Sequence, residues 1–118
     1  MTYIQQLIAA ADPLIPFQNT SDAQMFLQQY SVDDQAALVS ALYIGRDHIH
    51  SSQLNEDCFN AGIPFDRYFH TGGGHGVRWL INPAEFATIL YEKNTSLRTY
   101  YQSFVRCANG SGINLATF

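Results

Sequence analysis

Not one lysine or arginine occurs among the first 45 residues of this 118-residue chain. Asp12, Asp22, Asp33 and Asp34 all fall there, while the six acids and six bases from Arg46 onward cancel, so the net charge of −4 arises in the N-terminal part. No basic stripe exists to follow a phosphate backbone, which argues against nucleic acid as a direct ligand. The asymmetry suits a basic protein partner, although an acidic surface also serves solubility alone. Long apolar runs are equally missing. Nothing approaches the roughly 18 apolar residues that a membrane span requires. The opening Met-Thr-Tyr-Ile-Gln-Gln has neither the basic stretch nor the apolar core of a secretory leader. Cysteine is scarce: Cys58 and Cys107 lie far apart and form no CxxC pair, so two reduced thiols are a better reading than a disulfide. These absences together give a cytoplasmic location as the expectation.

What the chain does contain is core material. Apolar residues at 47% against 14% charged are enough for one core and leave little room for disorder, so residues 1–118 read as a single domain. Fifteen Phe and Tyr residues with one Trp exceed what so small a domain can bury, and some rings should reach the surface.

Apolar spacing predicts a mainly α fold, a compact bundle of about five helices. Ile4, Leu7, Ile8 and Ala11 follow the i, i+3, i+4, i+7 rule over residues 2–12, and Pro13 and Pro16 end that helix. Ser21 with Gln24 forms a capping box ahead of the stripe Ala23, Phe26, Leu27 and Tyr30. Ser31 followed by Asp33 and Asp34 starts a third helix, with acids where the helix dipole favours them. That helix runs from Val32 towards His48 as the most apolar segment, and Gly45 marks either a close helix contact or the start of unwinding. Asn82-Pro83-Ala84-Glu85 is a strong helix start leading to Phe86, Ile89 and Leu90 and a stop near Asn94. Thr95 can cap a last helix with Leu97, Tyr101, Phe104 and Ala108 inward and Asn109-Gly110 as its stop. The tail from Ser111 reads as an extended strap anchored by Leu115 and Phe118. Between the third and fourth helices, Asn55–Asn60 reads as one helical turn. Two short runs rich in aromatic and β-branched residues flank Thr71-Gly-Gly-Gly-His-Gly76, which predicts a short β-hairpin over residues 65–81.

Candidate chemistry is thin. His48 and His50, in Asp47-His-Ile-His, and His70 and His75, around the glycine loop, are residue types that bind zinc, but their spacing matches no defined signature. On a helix, His48 and His50 diverge by about 200°, so the four histidines read as helix-end and turn residues before they read as a metal site, and no cofactor is expected. The glycine loop lacks the Gly-Lys-Ser/Thr and following helix of a phosphate cradle. A thiol nucleophile assembled from Cys58, His70 or His75 and Asp66 has no local motif behind it, and no Gly-x-Ser-x-Gly elbow occurs. No catalytic residue is therefore assigned.

The stretch Asp33-Asp-Gln-Ala-Ala-Leu-Val-Ser-Ala-Leu-Tyr-Ile-Gly-Arg46 loosely resembles a segment of an uncharacterised family of small bacterial helical proteins. The resemblance covers about 14 residues, implies a helix, and carries no activity. The functional expectation is a small acidic protein-binding module. Its concrete form is a bacterial inhibitor such as a toxin-immunity protein, which acts by occluding a partner's active site. Asp33 and Asp34 would steer a basic toxin, and Tyr68, Arg78 and Trp79 would anchor it, because aromatic residues and arginine dominate interface energetics. A histidine-based metal enzyme or metal-binding domain and a homo-oligomeric structural domain are the alternatives.

Overall fold

The computed structural model describes residues 2–54 and 81–118. Five α-helices fall within them, and no strand does: α1 (Ile4–Ala11), α2 (Thr20–Leu27), α3 (Val32–Asp47), α4 (Phe86–Glu92) and α5 (Leu97–Gly110). The mainly α bundle expected from the spacing is the fold observed. The turn at Asn55–Asn60 and the hairpin, up to residue 80, lie outside the described residues.

α3 is the central element. Ten of its 16 residues are buried, and it packs on α1, α4 and most extensively α5, while α2 lies against α4. Small side chains let backbones close on one another. A Cβ at Gly45 would run into the carbonyl oxygen of Tyr100, so Gly45 marks a close helix contact, not unwinding. Two turns earlier on α3, the Leu38 carbonyl accepts from the buried Tyr101 hydroxyl at 3.1 Å. Burial pushes the Tyr101 phenol strongly upward, which keeps it neutral and a donor.

Local chemistry sets the helix ends, sometimes not at the expected residue. Ser31 caps α3 as expected, its hydroxyl accepting from the Asp34 N–H at 3.2 Å. For α2 the cap is Asn19, whose side chain accepts from the Asp22 N–H at 2.8 Å, in place of Ser21. The Asn82 side chain accepts from the Ala84 N–H at 3.0 Å, and Pro83–Glu85 form a 3₁₀ turn before α4. Thr95 does not cap α5; a second 3₁₀ turn, Asn94–Ser96, leads directly into it. α5 stops at Gly110 as expected, but the left-handed residue of the Schellman motif that closes it is Gly112. Gly112 takes φ 74°, Ile113 N–H bonds the Ala108 carbonyl at 2.9 Å, and Gly112 N–H bonds that of Asn109 at 3.1 Å. The tail is anchored at Leu115 and Phe118 as expected, but it closes as a 3₁₀ turn and not as an extended strap. Phe118 packs on Phe104 with ring centroids 4.9 Å apart.

Two arginines of α5 fasten distant chain to this scaffold. Arg98 donates to the Asp12 carboxylate at 2.7 Å and to the Asp12 and Ile15 carbonyls. Arg106 donates to the carbonyls of Ser51, His48 and Ile49. Asn94 closes a further long-range link, accepting from the Phe17 N–H at 2.6 Å and donating to its carbonyl.

Candidate functional site

The residues singled out by sequence meet different fates. Asp34, expected as a steering charge, is only 4% exposed, and its carboxylate accepts from the Thr2 N–H at 3.1 Å. It ties the chain start to α3 and does not face solvent. Asp33 is half-buried. Asp12 is committed to Arg98. Of the four N-terminal acids, Asp22 is therefore exposed without an ion pair among the described residues. Tyr68, Arg78 and Trp79 lie outside the described residues, as do Cys58, Asp66, His70, His75 and the glycine loop.

His48 and His50 are not brought together. His48 is buried and its Nδ1 lies 2.6 Å from the Ile44 carbonyl. A carbonyl only accepts, so the proton sits on Nδ1 and the ring closes the C-terminal turn of α3. His50 is exposed. Among the described residues no group of three or more His, Cys, Asp or Glu side chains gathers as metal ligands would. Cys107 is a buried free thiol, its sulfur 3.2 Å from the Ser51 carbonyl on the loop that Arg106 grips. Arg46 lies over the Tyr43 ring at 4.8 Å and 3.7 Å from Asp47, a corner at the end of α3. Burial raises the Tyr43 phenol, and the Arg46 charge opposes that shift.

The structure also assembles a groove that no sequence motif marks. Pro13–Gln18 and the outer side of α2 enclose a groove of about 730 Å³, lined among others by Leu14, Ile15, Asp22, Met25 and Phe26. Its floor is fixed: Phe26 sits between Phe17 and Tyr30 at centroid distances of 6.1 and 5.4 Å, and Asn94 holds the Phe17 backbone. Its rim is apolar and wet, with Leu14 47% and Met25 61% exposed. Asp22 is the charged residue of the lining. The signal was in the sequence. Met25 falls off the Ala23, Phe26, Leu27, Tyr30 stripe, about 200° from Ala23, so it had to face away from the core.

Comparison with protein-family models, with curated proteins and with solved structures found no match to this chain. No helix among the described residues is long and apolar enough to cross a membrane.

Proposed function

We propose that the chain is a small acidic protein-binding module, most concretely a bacterial inhibitor of the toxin-immunity kind that occludes the active site of a basic partner. The groove between Pro13 and Gln29 carries this reading. It offers two exposed apolar side chains, Leu14 and Met25, beside one carboxylate, Asp22. It also lies within 45 residues that hold no cation of their own. Exposed apolar side chains bordered by polar groups are the usual build of an interface centre. Asp22 supplies negative field at the groove itself, and Asp33 stays the steering candidate drawn from sequence. Tyr68, Arg78 and Trp79 remain the anchor candidates drawn from sequence.

The test is co-expression with the product of the gene adjacent to its own and purification through that product. Wild-type chain is compared with Leu14→Asp and Met25→Asp. A one-to-one complex weakened by about 2 kcal/mol or more in both variants, with their folds intact by circular dichroism, supports the proposal. A complex that both variants form at wild-type affinity overturns the groove as the contact. A partner with a net acidic surface overturns the electrostatic argument.

A further inference from the structure

A second concavity begins at Asp12, next to the groove but with none of its lining residues. α1 rests on α3 and on the C-terminal 3₁₀ turn, and the space left beside α5 is a cleft of about 360 Å³. One stripe of α5 lines it, Arg98, Tyr101, Gln102, Val105 and Arg106, at the i, i+3, i+4, i+7, i+8 spacing of a single helix face. α1 contributes Ile8 and the residue that follows its end, Asp12. Ile8 and Val105 are only half-buried, so the apolar wall is not consumed by the core. The volume is within the range of small-molecule sites.

The two guanidinium groups of the cleft differ. Arg98 is neutralised by Asp12 at 2.7 Å. Arg106 forms no ion pair among the described residues. Its Nε donates to the Ser51 carbonyl at 3.0 Å and its Nη2 to the His48 and Ile49 carbonyls at 3.3 and 2.8 Å. Those bonds immobilise the group without cancelling its charge, and among the described residues Nη1 donates to nothing. The result is a fixed cation that no carboxylate among the described residues compensates, in the lining of an apolar cleft, with a carboxylate at Asp12 that disfavours a second anion there. A guanidinium held in this way suits a carboxylate, and rigid placement lowers the ordering cost of binding.

We propose that the cleft between α1 and α5 binds a small monocarboxylate with an apolar body. Its carboxylate sits on Arg106 and its hydrocarbon part lies along Val105, Tyr101 and Ile8. At about 30 Å³ per water-sized unit the cleft holds about a dozen non-hydrogen atoms, the size of a medium-chain fatty acid or an arylalkanoic acid. The groove at Leu14 and Met25 plays no part in this site, so either proposal can fail alone.

Octanoate is the probe, with octylammonium as its charge-reversed control, titrated into the wild-type chain and followed by amide chemical shifts. Octanoate is expected to bind in the millimolar range, as suits so few atoms, and to move the amides of Ile8, Tyr101, Val105 and Arg106. Octylammonium is expected to leave them in place. Arg106→Gln should weaken octanoate about tenfold, the value of one charge-assisted contact. Because Arg106 also holds the 48–51 loop, Ile8→Trp is the second variant. It fills the cleft, leaves the guanidinium untouched, and should abolish binding. Equal binding of octanoate and octylammonium overturns the proposal, as do shifts scattered away from the cleft or wild-type affinity in Ile8→Trp.

Discussion

Where α3 crosses α5, backbone meets backbone at Gly45, a buried phenol reaches a main-chain carbonyl, and Arg106 grips the loop that follows. Between Pro13 and Gln29 the opposite holds: Leu14 and Met25 stand in water at 47% and 61% exposure over a groove of about 730 Å³. The first region spends its side chains on the fold. The second leaves apolar area uncovered, and exposed apolar surface beside a polar rim is where binding is found. The difference separates the residues whose substitution should unfold the chain from those whose substitution should leave the fold intact.

The largest expected effect lies at the helix crossing. Gly45→Ala puts a methyl group into the Tyr100 carbonyl, and since backbone cannot rotate away, α3 and α5 must part. A loss of about 3 kcal/mol is expected, which thermal unfolding would show as a fall in Tm of about 10 °C. A change under about 1 kcal/mol would show that the two helices can slide, and the contrast between the regions would lose its basis.

A smaller effect is expected at the phenol. Tyr101→Phe removes the bond to the Leu38 carbonyl and should cost about 1 kcal/mol in denaturant unfolding at neutral pH. The pH dependence sharpens the point. The phenol is raised in the folded state above its ordinary value of 10.0, so the folded chain holds the proton more tightly than the unfolded one. Stability is complete below that value and falls above it, by about 1.4 kcal/mol per pH unit from this group. Tyr101→Phe should flatten that alkaline loss, and an unchanged limb would assign the loss to other groups. The smallest effect belongs to the groove: Met25→Gln should change stability by less than about 0.5 kcal/mol. A loss above about 1 kcal/mol would make Met25 structural and bring the two regions into one class.

Helix identity was legible because apolar period is a property of a short window. Ile4, Leu7 and Ala11, or Leu97, Tyr101, Phe104 and Ala108, repeat at helical spacing, and all are buried. The Ser31 cap was legible because two acids follow it in the first turn. The α2 cap was not, because Asn19, Thr20 and Ser21 are three consecutive residues able to cap. The backbone just before them is set by Asn94, 77 residues from Phe17. Thr95 failed for a related reason, since a 3₁₀ turn carries the chain into α5 and leaves no open helix end to cap. Asp34 was misjudged as a surface charge because its partner, the Thr2 N–H, is 32 residues away. The groove and the cleft are likewise products of folding: each joins segments that no motif connects, and only the misfit of Met25 with its own helix stripe announced either one.

The link from Arg98 back to Asp12 spans 86 residues, and α3 finds its largest partner in the last helix. A chain made from its N-terminus outward therefore holds α1, α2 and α3 before the helix that covers α3 most extensively has been made. Only when Leu97–Gly110 has been delivered can α3 be fully covered, so this interior closes after that helix is made rather than helix by helix. Until then the face of α3 that α5 later covers stays open to solvent, and exposed apolar surface of that kind is what makes a partly folded chain prone to aggregate.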